Sequence, residues 1–380
     1  MTNRAGKATY AYGLLFQSEA IKKWHLSAPD SFKQYRSSWY DRVDDCDYGA
    51  APLNANIEVT SRCNMACTFC YNIKMPEDQI GDMDISTYQK FINDGVKEGL
   101  VAVNLNGLGE PTLRADLPEM IAYAKEKGVL EVMFHTNGSI MSIELAEKLI
   151  KAGLDKIIFS VDSPEKESYE KMRLLKTYDA DSKLRIKPMD FVKIRQNVET
   201  FFEVRKRAGS VKPFIRTTMV LTDENEKYVP LFIERWKDLA DEISVQDMLS
   251  ESKITEKVSW RNSNKSRVFA NKRQLLEQAL QKNIKYVCPL LYQSMYFYHN
   301  GDVAMCSYPQ ARDIKIIGNI KSSTVAEIWK SSEIVDLRRL HEEGKWHEVE
   351  MCRNCDMPYV EIASNLNMSH TSQFSESNGH

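Results

Sequence analysis

From about residue 56 to residue 246 one pattern repeats: a short apolar run, a turn, then an amphipathic stretch with the period of a helix. Strands that alternate with helices need both sheet faces covered, which makes the strands parallel and the class α/β. Six strands are expected, at 57–60, 101–106, 131–135, 156–161, 214–220 and 242–245, with helices near 86–98, 116–127, 142–152, 190–208 and 224–237. Gly99, Gly128, Gly153 and Gly209 stand where four of those helices should stop, since glycine enters the left-handed turn that ends a helix without a Cβ clash. The repeat occupies residues 55–250. Before it lies a short, partly helical lead-in, 1–54. After it come a basic connector, 251–285, and a small α+β unit, 286–362, where alternation around Asn300-Gly301 predicts a hairpin followed by two helices. Residues 363–380 form a tail whose Ser, Asn and Gly content predicts disorder.

Lys and Arg number 51 against 53 Asp and Glu, a formal charge of −2, which argues against nucleic-acid phosphates as the main ligand. Apolar runs fall far short of the ~18 residues that span a bilayer, and residues 1–30 lack the h-region of a secretory signal. A cytoplasmic protein with no membrane partner is expected. In a reducing compartment cysteines serve metals or catalysis more often than disulfides. Of the eight here, seven form two groups: Cys63, Cys67 and Cys70, then Cys288, Cys306, Cys352 and Cys355; Cys46 stands alone.

Cys63-Asn-Met-Ala-Cys67-Thr-Phe-Cys70 begins just after the first expected strand, so one loop at a strand's carboxyl end presents three thiolates. Soft donors at this spacing select zinc, copper(I) or an iron–sulfur cluster. A structural zinc would want a fourth ligand nearby, yet no cysteine follows before Cys288 and the one intervening histidine is His135. A cubane cluster held by three cysteines instead leaves one iron open to a ligand. This segment, with aromatic Phe69 directly before the last cysteine, resembles the radical S-adenosylmethionine (SAM) superfamily.

The resemblance implies a partial (β/α)6 TIM-like barrel that binds SAM and a [4Fe-4S] cluster through Cys63, Cys67 and Cys70. Asn106-Gly107-Leu108-Gly109-Glu110-Pro111 is similar to the family's GGEP segment, with Leu108 inserted between the glycines, and implies that Gly107, Gly109 and Glu110 edge the methionine amino group. Thr136-Asn137-Gly138-Ser139 resembles the turn near the ribose, which brings in Thr136 and Asn137. Ser160 and Asp162 alternate onto one strand face toward ribose or methionine, or else cap the next helix. Arg216 has the planar fork to grip the methionine carboxylate. The implied chemistry is reductive cleavage of SAM to a 5′-deoxyadenosyl radical that abstracts a substrate hydrogen, fed by a reductant such as flavodoxin or ferredoxin.

In the second group, four thiolates can close a coordination sphere around zinc or a second cluster, and spacing does not separate the two. The surrounding residues do: Gly301-Asp302-Val303-Ala304-Met305-Cys306, Ile317-Gly318-Asn319-Ile320, Glu327-Ile328-Trp329 and Arg338 resemble the SPASM extension of radical SAM enzymes. With only four cysteines the unit is similar to the shortened twitch form of aminocyclitol (2-deoxy-scyllo-inosamine) dehydrogenase-like enzymes. That implies one auxiliary [4Fe-4S] cluster able to take an electron from an oxidised substrate, or one that merely staples a small unit.

Cys46 sits among Asp44, Asp45 and Asp47, a poor setting for a thiolate, and is the one spare thiol a radical epimerase could use as hydrogen donor. Lys253, Lys257, Arg261, Lys265, Arg267, Lys272 and Arg273 in the connector, and Lys183, Arg185, Lys187, Lys193 and Arg195 before and in the fourth helix, would favour a phosphorylated or nucleotide-linked sugar if they covered the barrel mouth. The leading expectation is an oxidoreductase acting on a carbohydrate-like, hydroxyl-bearing small molecule. A peptide maturase, a sugar epimerase or dehydratase, and a non-catalytic electron carrier are the alternatives. Arg216, Asp247 and His135, at expected strand ends, are the candidates for a general base.

Overall fold

The structure is a computed structural model and describes residues 12–179, 181–222, 224–247, 272–307, 314–355 and 357–365. The lead-in supplies an edge strand as well as helices: β1 (Tyr12–Gln17), α1 (Glu19–Ser27) and α2 (Asp30–Asp44). Then come β2 (Asn54–Ile57), α3 (Ile85–Lys97), β3 (Ala102–Asn104), α4 (Leu117–Glu126), β4 (Glu131–Thr136), α5 (Ile143–Lys151) and β5 (Lys156–Ser160). A short helix, α6 (Lys166–Met172), leads into a hairpin, β6 (Leu174–Tyr178) and β7 (Leu184–Pro188). The barrel closes its sequence with α7 (Phe191–Arg207), β8 (Phe214–Leu221), α8 (Val229–Trp236) and β9 (Glu242–Asp247).

All six expected barrel strands form and pair in parallel, in the order β9-β8-β5-β4-β3-β2. Alternation sorts their side chains. Val132, Phe134, Ile157, Phe159, Ile215, Met219 and Ile243 turn outward and share one buried core with the helices. Their neighbours Met133, His135, Lys156, Ser160, Arg216, Thr218, Glu242 and Ser244 take the inner face, which is largely polar. The first strand is three residues earlier than expected, at Asn54–Ile57 instead of 57–60, because Asn54 and Asn56 lie on that inner face and break the apolar run. The last expected helix, 224–237, begins only at Val229, where Pro230 occupies the first turn.

The helices α1 and α2 plug the amino end of the barrel. Trp24 packs edge-on to Phe214 at 5.1 Å, and the Tyr35 hydroxyl donates to Glu131 Oε2 at 3.3 Å. Lys156 and Arg216 pair with Glu242 at 2.9 and 2.7 Å in the same layer. With that end filled, the carboxyl ends of the strands are left for a site.

The C-terminal unit is an extension of the barrel sheet. After α9 (Lys272–Gln281) and α10 (Leu290–Gln293), β10 (Ser294–Phe297) pairs in parallel with β2, and the expected hairpin to β11 (Asp302–Ala304) turns at Asn300-Gly301 before β12 (Ile316–Asn319). The edge strand β1 pairs antiparallel with β9 at the far side, making ten strands among the described residues. The helices α11 (Val325–Trp329), capped by a Thr324–Glu327 box, and α12 (Ser332–Glu342) follow, then α13 (Glu350–Asn354) and α14 (Met357–Asn365). Buried Arg338 is sandwiched 4.1 Å from both the Tyr48 and Trp329 rings and donates to the Leu291 and Trp329 carbonyls, while Trp329 Nε1 donates to the Tyr48 carbonyl. Lys253, Lys257, Arg261, Lys265 and Arg267 of the connector, and the tail from 366 onward, lie outside the described residues.

Candidate active site

The three-cysteine loop leaves β2 and is held along the hairpin strand β6. Ala66 N donates to the Leu174 carbonyl at 2.7 Å, Thr68 N to the Met172 carbonyl at 3.1 Å, and Lys176 N to the Asn64 carbonyl at 2.8 Å. Lys176 Nζ adds a bond to the Cys63 carbonyl at 3.3 Å. Arg173, just before β6, donates to Cys67 Sγ at 3.3 Å, lies over the Phe69 ring at 5.3 Å, and forms a buried ion pair with Asp162. Burial pushes the Cys63 thiol up to about 12, with Glu110 and the neighbouring thiols adding to it and the Met65 N–H opposing. Burial likewise lifts Cys70 to about 11. Metal-free thiols here therefore hold their protons; iron ligation would supply the positive charge that removes them.

Glu110 lies beneath this loop, 2% exposed, and its carboxylate is used up by the protein: Thr112 Oγ1, Thr136 Oγ1 and the Asn137 N–H donate to it at 2.6–2.7 Å. Asn137 then donates from Nδ2 to Asn64 Oδ1, and Asn64 to Ser139 Oγ, both at 2.9 Å, which ties the turn after β4 to the cysteine loop. Gly109 packs so closely that a Cβ there would run into the Thr60 carbonyl and lie 2.7 Å from that of Arg62. Gly107 faces buried Glu58, whose Oε1 lies 2.9 Å from His299 Nδ1 of the C-terminal unit. Thus Cys63, Cys67, Cys70, Phe69, Gly107, Gly109, Glu110, Thr136, Asn137 and Asp162 come together at the carboxyl ends of the strands.

Asp162 is fully buried at φ +47° and accepts from the Val220 N–H at 2.8 Å besides pairing with Arg173, so its carboxylate is engaged inward. Ser160 ends β5 on the inner face. Arg216 is placed lower: both its Nε and Nη2 grip Glu242 Oε2, at 2.9 and 2.7 Å. Burial alone would raise the Glu242 carboxyl, but Lys156 and Arg216 outweigh it and hold that group well below the usual carboxylate range. His135 shares the inner face with Arg216; burial, then the guanidinium charge, lowers its pKa to about 4. Asp247 ends β9, and its side chain lies outside the described ones.

In the second group, Cys288, Cys352 and Cys355 lie close enough that each thiol field affects Cys352, whose pKa burial already raises. Cys306 follows β11 beside Met305, which packs in one cluster with Cys288 and Cys352. Cys46 packs against this same cluster, with Val43 and Tyr292 near it. Among the described residues no group of three or more Cys, His, Asp or Glu side chains is gathered where it could hold a metal ion. Both groups offer sulfur donors, the kind a multi-iron cluster uses.

The radical SAM superfamily profile matches residues 57–235, and that of the SPASM iron–sulfur cluster-binding domain matches 288–356. The chain carries a radical SAM domain followed by a SPASM domain. The radical SAM domain implies SAM and a [4Fe-4S] cluster, and the SPASM domain implies auxiliary iron–sulfur binding, which the sulfur donors at Cys63–Cys70 and Cys288–Cys355 fit. Among curated relatives it is 29% identical over 175 residues to the tungsten-containing aldehyde ferredoxin oxidoreductase cofactor-modifying protein of Pyrococcus furiosus, covering 46% of this chain and 45% of that one. It is 33% identical over 174 residues to a probable GTP 3′,8-cyclase of Sulfolobus acidocaldarius, covering 43% and 54%. The chain thus spans about half the length of these relatives. Among solved structures, Streptococcus suis SuiB bound to precursor peptide SuiA superposes with TM-score 0.58 at 13% identity over 90% of this chain and 77% of that one. Native anSMEcpe with bound AdoMet does so with TM-score 0.56 at 18% identity, over 85% and 100%. At such identities the likeness is one of fold. BtrN in complex with AdoMet and 2-DOIA reaches TM-score 0.46 at 16% identity, over 80% and 92%, too weak a match to argue from.

Arg173 is not marked by the sequence, because its partners lie 11 and 106 positions away and it directly precedes the β6–β7 hairpin, of which only charged residues from Lys183 onward stand out. That hairpin also walls a cavity of about 500 Å3 beside the cysteine loop, lined by Asn64, Ser139, Met189, Asp190, Lys187 and Lys193 among others. Among the described residues no helix is long and apolar enough to cross a membrane.

Proposed function

We propose that this radical SAM enzyme oxidises a hydroxyl-bearing, carbohydrate-like small molecule, with an auxiliary cluster as electron acceptor. The observation that carries the reading is the continuity of the two cysteine-bearing units: β10 pairs with β2, so the second group is built on the sheet that carries the first. When bound, the open cluster and SAM supply a 5′-deoxyadenosyl radical, and a single auxiliary [4Fe-4S] cluster on Cys288, Cys306, Cys352 and Cys355 supplies a place for the substrate's electron.

The chain's own residues do the rest. Cys63, Cys67 and Cys70 hold the open cluster, with Arg173 donating to Cys67 and Phe69 stacked beneath the guanidinium. Gly107 and Gly109 bring backbone close to the methionine end, while Thr136, Asn137 and Ser160 face the ribose side. Glu110 and Asp162 act by fixing those turns, their oxygens being spent on Thr112, Thr136, Asn137, Val220 and Arg173. Arg216, gripped by Glu242, braces the barrel floor, so His135 and Asp247 stay as the base candidates. Lys187 and Lys193 at the lateral cavity suit an anionic group such as a phosphate on the sugar.

A peptide substrate is the second reading, favoured by exposed β7, where Leu184 and Ile186 are 51% and 54% exposed on a strand that an extended peptide could join. Anaerobic incubation with SAM, a low-potential reductant such as flavodoxin, and panels of polyols, sugar phosphates and peptides separates the two. Oxidation gives 5′-deoxyadenosine together with a sugar product lacking two hydrogens. Turnover of peptides alone contradicts the leading reading.

A further inference from the structure

One buried side chain is aimed at a cysteine of the second group and has no part in the chemistry above. His341, on α12, is 1% exposed. The Cys288 N–H donates to its Nδ1 at 3.3 Å, and its Nε2 lies 3.4 Å from Cys352 Sγ. The ring also makes a backbone bond to Tyr286, and a cysteine ligating iron is a thiolate that can only accept, so a hydrogen bond across the Nε2–Cys352 contact has the ring N–H as its donor. The ring is held in place by Tyr286, whose centroid is 5.8 Å away, and Tyr286 packs edge-on against Trp346. One imidazole therefore touches two cysteines that the sequence places 64 positions apart.

We propose that His341 is a positioning residue that donates from Nε2 to the Cys352 thiolate and thereby raises the reduction potential of the auxiliary cluster. The inference rests on reading Cys288, Cys306, Cys352 and Cys355 as ligands of one cluster. Reduction adds one electron to a site already rich in negative charge. An N–H to a ligating sulfur draws charge off that sulfur, so it stabilises the reduced form more than the oxidised form. The effect suits an acceptor that must take an electron from a substrate.

The test uses the full chain carrying Cys63→Ala, Cys67→Ala and Cys70→Ala, reconstituted anaerobically so that one cluster remains, with its midpoint potential followed by electron paramagnetic resonance. His341→Phe keeps a ring and removes both bonds. His341→Asn keeps an acceptor for the Cys288 N–H but falls short of Cys352, whereas His341→Gln returns an N–H near the Nε2 position. The Phe and Asn variants should shift the one-electron reduction equilibrium at least about tenfold toward the oxidised form, or 59 mV, and Gln should recover most of it. If Phe does not fold, the contrast between Asn and Gln decides alone. Potentials that agree among the histidine, Asn and Gln proteins overturn the inference. Zinc, or no iron, in the histidine-bearing protein overturns the cluster reading beneath it, and metal analysis tells the two failures apart.

Discussion

At the scale of single residues, the site depends on close approach and on buried charge. Gly109 has no room for a side chain between the carbonyls of Thr60 and Arg62. Gly109→Ala must push the Gly-Glu-Pro turn off the end of β2, an overpacking cost of about 1–3 kcal/mol. The expected result is a lower melting temperature together with weaker SAM binding by equilibrium dialysis. Arg173 and Asp162 form a pair in which the Arg173 side chain is 10% exposed and that of Asp162 fully buried. Removing one partner strands the other, so Arg173→Met should lower stability by about 3–5 kcal/mol in urea unfolding. Arg173→Lys keeps the charge but loses the fork, and should fall between the two. An Arg173→Met protein as stable as the parent would show that the pair contributes nothing.

Among strands and helices, the polar inner face explains both what the sequence disclosed and what it hid. Outward residues such as Val132, Phe134, Ile157 and Phe159 repeat every second position, and that period was legible for five of the six strands. Around β2 the inward Asn54 and Asn56 interrupt the apolar run, which is why the first strand was expected three residues too late. The hairpin β6–β7 was not legible at all. Every residue of β7 is exposed, so no burial pattern marked it, and its role in holding the cysteine loop rests on backbone bonds that leave no trace in residue type. The two cysteine groups were legible because thiol chemistry needs those residues at such spacing; Arg173 and His341 were not, since each finds its partners across the fold. The inner face also sets a pH dependence. His135, lowered to about 4 from an ordinary 6.5, makes the folded chain bind fewer protons than the unfolded one between those values. Its contribution to stability is complete above pH 6.5 and is lost as the pH falls toward 4. Urea midpoints for His135→Asn should therefore slope less over that window; an unchanged slope would show that His135 titrates normally.

For the molecule as a whole, the barrel and the C-terminal unit share a sheet and a core, with Phe297 and Trp329 packed in the same cluster as Ile57 and Phe91. Much of the fold should then survive loss of metal, whereas the cysteine-bearing segments of the C-terminal unit should loosen. Chelation of iron is expected to leave far-ultraviolet circular dichroism nearly intact and to speed proteolysis near Cys352 and Cys355. Equal protection with and without iron would mean that the second site does not staple its surroundings. The central claim is that Cys63, Cys67 and Cys70 hold a cluster with an iron open to SAM. Its most direct measurement is Mössbauer spectroscopy on the protein with the second group's four cysteines replaced by Ala, before and after adding SAM. The account predicts four irons per chain, about the content of one cubane, one of which changes its isomer shift when SAM binds. Zinc in place of iron, or four irons that all ignore SAM, would contradict it.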